Sequence, residues 1–139
     1  MCVLRLSGEV SFSNYAAVTP LPVVYCDEKG EPRRSRPKLL AKDHGIAFRV
    51  SDIEWDDIQG QIEEAIQFLV LWEAELVELL NSHKPVRAFL DFPLYSRLDG
   101  NVINQNEHFP STLIRIAGKI GLGIALGLYD KAAFDQFGK

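Results

Sequence analysis

Between residues 57 and 80 the apolar side chains Ile58, Ile62, Ala65, Ile66, Leu69, Trp72, Leu76, Leu79 and Leu80 recur at three- and four-residue intervals, with no proline among them. Only an α-helix gathers that spacing onto one face. Such a helix is roughly 36 Å long at about 1.5 Å per residue, and its broad apolar stripe must be buried against another layer. In a chain of 139 residues, 47% of them hydrophobic, the layer has to come from the same domain. A chain this size buries roughly two thirds of its unfolded surface and needs no disulfide or metal to hold it. One domain, 1–139, is therefore the expectation. Asp52, Glu54, Asp56 and Asp57 lie at or before the first turn, where free amides and the helix dipole favour carboxylates. Ser51 with Glu54 has capping-box spacing. Asn81 and Pro85 are placed to end the helix.

The remaining elements supply that layer. Cys2 to Leu6 alternates, with Cys2, Leu4 and Leu6 on one face and Val3 and Arg5 on the other, which is the period of a half-buried strand. Prolines 20, 22, 32 and 37 break up residues 7 to 37, where edge strands and loops are expected around Val23, Val24 and Tyr25. Leu39 to Ala41 and Ile46 to Val50 flank Asp43-His44-Gly45, a hairpin by its turn chemistry. Val86 to Leu94 reads as a strand with Val86, Ala88, Leu90, Phe92 and Leu94 on one face. A second helix is expected from Pro110, packing through Leu113, Ile114, Ala117 and Ile120 until Gly121 stops it. Leu122 to Tyr129 is a strand without polar positions, expected to be central, its small face of Gly123, Ala125 and Gly127 open to a helix backbone. Phe134 and Phe137 suggest a final helical turn. The order gives an α+β domain: a mixed, mainly antiparallel sheet of four to six strands with two helices on one face, a ferredoxin-like variant.

Several chemistries are excluded or unsupported. The segment Gly121-Leu122-Gly123-Ile124-Ala125-Leu126-Gly127 has glycines inside a strand rather than at a strand-to-helix turn, so it is no dinucleotide fingerprint. Gly118-Lys119 lacks the rest of a phosphate loop. His44, His83, His108, Cys2 and Cys26 have no metal-ligand spacing, and no cofactor is implied. Asp43 beside His44, Glu107 beside His108, and Asp91 are the acid–base candidates, but neighbouring side chains usually point apart. No nucleophile elbow is present. An enzyme is thus not the favoured expectation. The start of the chain has no export signal and no apolar run spans a bilayer, which points to the cytoplasm and away from a membrane.

Charge is the informative anomaly. From Val50 to His83 there are Asp52, Glu54, Asp56, Asp57, Glu63, Glu64, Glu73, Glu75 and Glu78 without a single lysine or arginine. From Lys29 to Lys42 the basic residues are Lys29, Arg33, Arg34, Arg36, Lys38 and Lys42, against Glu31. The helix forgoes the Glu–Lys pairs that long helices usually intersperse. Either the basic segment lies across the helix and cancels its charge, or the acidic face, with Leu71 beyond the main stripe, meets a basic partner. A net charge of −4 argues against nonspecific nucleic-acid binding.

The C-terminal two thirds resembles a bacterial family catalogued as domain of unknown function 4279. The resemblance rests on Gly45-Ile46-Ala47-Phe48-Arg49-Val50, the helix 57–80, the strand from Val86 to Phe92, and His108-Phe109-Pro110-Ser111 leading through Leu113, Ile116 and Ala117 to Gly121 and Leu126-Gly127-Leu128-Tyr129. It implies a small cytoplasmic α+β protein and supplies no catalytic positions. The leading expectation is a non-enzymatic protein-interaction module, of the kind that neutralises a bacterial toxin as an immunity protein. Its acidic face would be Asp52, Glu54, Asp56, Asp57, Glu63, Glu64, Leu71, Glu75 and Glu78, facing a basic protein or a second copy. The alternative is a small-ligand-binding domain or an enzyme with a pocket between the sheet and residues 7–37, anchored by Asp43, His44, Arg49 or Asp91.

Overall fold

The computed structural model describes residues 1–137. In chain order the elements are β1 (Cys2–Gly8), α1 (Ser13–Val18), β2 (Val23–Asp27), β3 (His44–Ser51), α2 (Ile58–His83), β4 (Arg87–Tyr95), α3 (Ser111–Ile120), β5 (Gly123–Tyr129) and α4 (Lys131–Phe137). The five strands form one sheet in the order β2-β3-β1-β4-β5. All neighbours are antiparallel except β4 and β5, which are parallel. The fold is therefore α+β with a mixed, mostly antiparallel sheet. Helix α2 connects β3 to β4 with β1 lying between them, the split βαβ unit of ferredoxin-like folds. The second unit, β4-α3-β5, joins adjacent strands directly and is where this fold departs from that pattern.

The core lies between the sheet and its helices. Leu4, Leu6, Ile46, Phe48, Leu90, Phe92 and Leu94 from the strands meet Ile62, Ala65, Leu69, Leu76 and Leu79 of α2 and Leu113 and Ala117 of α3. Gln61, buried in the same helix, donates through Nε2 to the carbonyl of Pro93 at 2.9 Å, tying α2 to the end of β4. No helix among the described residues is long and apolar enough to cross a membrane.

Several expectations need correction. The hairpin of residues 39–41 with 46–50 does not form. Instead, β3 pairs with β2, while Ala41 turns back onto Glu31 and Gly30 (N–H to O 2.8 Å and O from N–H 2.9 Å). Prolines 32 and 37 keep that segment out of the sheet. The helix is capped by Asp57, whose carboxylate accepts the Gly60 N–H, and not by Ser51, which ends β3 and donates to Glu64. It runs to His83, and Lys84 takes the left-handed conformation just before Pro85. Val86 is 76% exposed and precedes β4, and Ile114 is 54% exposed, its place in the packing face taken by Ile116.

β5 is an edge strand, not a central one. It has no polar residues although much of it is exposed, Leu128 to 53%. Leu122 and Ile124 pack toward the core, while the Tyr129 ring lies back over Gly127, where an added Cβ would stand 3.1 Å from it. An aromatic ring thus occupies the space expected for a helix backbone. Within residues 7–37, α1 is an element that periodicity missed, being too short to show one. The expected final turn is α4; the expectation for Phe134 and Phe137 lies outside the described side chains.

Candidate functional site

The two charged segments of the sequence come to lie on opposite sides of the sheet. Helix α2 presents Glu63, Glu75, Glu78, Val70 and Leu71 to solvent, with Leu71 72% exposed. At about 100° per residue these fall within an arc of roughly 140°, opposite the buried stripe. Among the described residues the ion pair on this helix is Lys119 with Glu73, 3.2 Å. Glu64 is held by the Ser51 hydroxyl at 2.6 Å, Asp57 caps the helix, and Asp52 approaches Arg49 at 3.6 Å in an exposed pair. Glu54 and Asp56 are exposed in the connection before the helix. The basic segment does not cover any of them.

That segment instead walls the other side of the sheet, away from α2 and α3. Residues alternating away from the core, Arg5 on β1, Tyr25 on β2 and Phe89 and Asp91 on β4, floor an open groove of about 1130 Å³. The floor is ordered by its own bonds. Arg5 Nε donates to Asp91 Oδ2 at 2.8 Å, and Arg5 Nη1 donates to the Tyr25 hydroxyl. These bonds favour the charged form of Arg5 and outweigh the cost of its burial, so its pKa is raised. Arg87 lies over the Phe89 ring, 5.2 Å from its centre. Buried Asp27 pairs with Arg33 at 3.8 Å and accepts the Arg34 N–H at 2.8 Å, which docks the basic segment onto the end of β2.

The groove is polarised along the strands. Ser7 stands opposite both Gly45 and Arg87, so Arg87 and the residues leading into β3, Lys42 and Asp43, share one end. Arg36 joins them on the wall. Asp91 pairs with Val3 farther along, and Pro93 pairs with Gly127 beyond it. There Trp55 packs against Tyr129 and Tyr95, with ring centres 4.9 and 5.3 Å apart, and Asp52 and Glu54 stand in the same connection. One end holds Lys42 and Arg87 with Asp43 beside them, and the other is aromatic, with Lys131 over the Tyr95 ring at 5.3 Å. Arg36, Lys42 and Arg87 belong to none of the ion pairs among the described residues.

Of the expected pocket anchors, the structure brings Asp43 and Asp91 to this groove. His44 turns to Glu28, 3.2 Å away, and Arg49 to Asp52, so neither lines it. The pocket also does not lie against residues 8–22. Phe12 stacks on His83 at 5.0 Å and Tyr15 meets Phe48 edge-on, which places that stretch on the helix side. Sequence reasoning missed Arg5, Tyr25, Arg87, Phe89 and Trp55 as groove residues. The signal was present in the alternation Arg87-x-Phe89-x-Asp91 opposite an apolar strand face, which marks the side away from α2 and α3.

A second polar cluster gathers Ser11, Ser13, Glu28 and His44. Both serine hydroxyls donate to Glu28, and these bonds, with a smaller contribution from His44, hold its carboxyl below the usual value. The carboxylate stands between the hydroxyls and the imidazole, so no base reaches a nucleophile. Among the described residues no group of histidine, cysteine and carboxylate side chains could hold a metal. Comparison with protein-family models, with curated proteins and with solved structures gives no match.

Proposed function

We propose that this chain is a non-enzymatic binding module whose sheet face opposite α2 receives an anionic partner. One observation carries the reading: three cations with no ion-pair partner among the described residues, Arg36, Lys42 and Arg87, line one groove whose other arginines are already bound to Asp27 and Asp91. Paired arginines position the floor, and unpaired ones are left to attract. Polar groups lining a concavity are the ordinary mark of a binding site. The resemblance to domain of unknown function 4279 supplies no reaction, so the reading rests on this geometry. A cytoplasmic setting, in which Cys2 and Cys26 remain unpaired thiols, belongs to the same proposal. Reversing Lys42→Glu and Arg87→Glu together should abolish retention on an anionic resin at low salt while the circular dichroism stays unchanged. Unchanged retention would overturn the reading.

A second reading is favoured by the separation of the two charged segments. Because the basic segment sits across the sheet, the exposed carboxylates Glu63, Glu75 and Glu78 keep their field, as a surface steering a basic protein would require. Occlusion of such a partner, in the manner of an immunity protein against its toxin, would use Leu71 near the centre of the acidic arc and Val70 at its edge. Replacing the three glutamates with lysine should slow that association and flatten its salt dependence. A partner that binds the variant unchanged would remove this reading.

A further inference from the structure

We infer that the occupant of the groove is an extended acidic peptide segment of about six residues, bound with its carboxylate-bearing end at Lys42 and Arg87 and an aromatic or aliphatic end at Trp55 and Tyr129. This rests on the anion-binding reading and narrows it to one chemistry. Length is the first argument. From Arg87 to Pro93 the floor runs along β4 for roughly 20 Å at about 3.3 Å per residue, the span of six residues in extended conformation. The groove's volume, about 1130 Å³, is more than a compact small molecule fills.

Charge and polarity fix the orientation and the class. An anion is drawn to the end that holds Lys42 and Arg87 rather than to the aromatic end, where Asp52 and Glu54 flank Trp55 in the sequence and Lys131 lies over the Tyr95 ring. A nucleic-acid strand carries charge along its whole length and would meet Asp91, so it fits poorly. Its bases would also find the Phe89 ring already covered by Arg87. A fatty acid would satisfy the two ends but would lay its chain over the Arg5–Asp91 pair and the Tyr25 hydroxyl in the middle. A peptide backbone offers amides and carbonyls at that point. Side chains that alternate along an extended peptide would then turn every second residue toward the floor.

The test is selection of random octapeptides displayed on phage against the whole protein, followed by titration of the recovered peptides. The reporter is Trp55 emission in a Trp72→Phe variant, in which Trp55 is the sole tryptophan. Recovered sequences should carry Asp or Glu toward one end and an aromatic or aliphatic residue some five positions away. Their binding should shift Trp55 emission and weaken at least tenfold in the Lys42→Glu, Arg87→Glu double variant. Peptides without that pattern, or binding indifferent to the double variant, would overturn the inference. Laurate or inorganic phosphate binding that depends on Arg87, with no acidic peptide recovered, overturns the peptide and leaves the anion-binding reading standing. Preferential binding of a thymidine dodecamer also overturns the peptide. If no anion of any class binds, both fall.

Discussion

At the scale of single residues, the start of α2 shows how a local contact reverses a general rule. Glycine inside a helix costs up to about 1 kcal/mol relative to alanine, so Gly60→Ala would ordinarily stabilise. Here an added Cβ would overlap the Asp57 carboxylate and stand 3.0 Å from Ile53 Cγ2, displacing the acceptor of the Gly60 N–H. Asp57→Ala should lower stability by about 1 kcal/mol through loss of the cap. Gly60→Ala should destabilise too, and the double substitution should cost less than the sum, because both remove the same bond. Urea denaturation of the three variants measures this; additive effects would refute it. Cys2 offers a second residue-scale test. Burial, and then the charge of Asp91, push its thiol far above the ordinary value of 9.0. The native thiol should therefore resist an aromatic disulfide reagent at about pH 8, where a free cysteine is partly thiolate, and react on unfolding. With the folded pKa raised, the stability contribution is complete below the unfolded value and is lost as pH rises past it. The urea midpoint should fall as pH rises above about 9, and a Cys2→Ala variant should lack that component.

At the scale of elements, the two long helices and the core strands were legible because each repeats its signal. Ile62, Leu69 and Leu76 stand two turns apart, and Leu4 and Leu6, like Leu90 and Phe92, alternate with residues of the other face. What was not legible was decided by pairing across distance. Nothing local distinguishes Val23–Asp27 from residues 39–41 as the partner of β3, and nothing in Gly123–Tyr129 announces an edge. The groove failed to appear for the same reason, since Arg5, Asp91 and Trp55 meet only once the strands are in register. Exposure within α2 gives the element-scale prediction. Leu69→Ala, in the core, should cost about 2–5 kcal/mol, whereas Leu71→Ala two positions on should stay within about 0.5 kcal/mol. Thermal and urea unfolding of the pair would show it, and a large loss at Leu71 would mean that its side is covered.

At the scale of the whole molecule, the acidic arc of α2 and the groove cations Arg36, Lys42 and Arg87 lie on opposite sides of the sheet. Sorting of this kind works against folding, because like charges on α2 repel with no lysine at four-residue spacing to offset them. The cost can be measured by removing it. In Glu78→Lys the new cation stands three residues after Glu75, with the carboxylate on the N-terminal side, the favourable order for a helix. Stability should rise by about 0.3–0.5 kcal/mol at low ionic strength. The gain should vanish near 1 M salt, where screening acts within about 3 Å. Lys42→Glu, which breaks no ion pair on the opposite face, should leave the urea midpoint nearly unchanged at either salt concentration. If Glu78→Lys instead destabilised at low salt, Glu78 would have a cationic partner and the acidic arc would not be the unneutralised surface that the second reading requires. A rise at low salt alone would show that the fold retains a repulsion it could relieve with one substitution, which is the expected mark of a surface selected for what it meets rather than for stability.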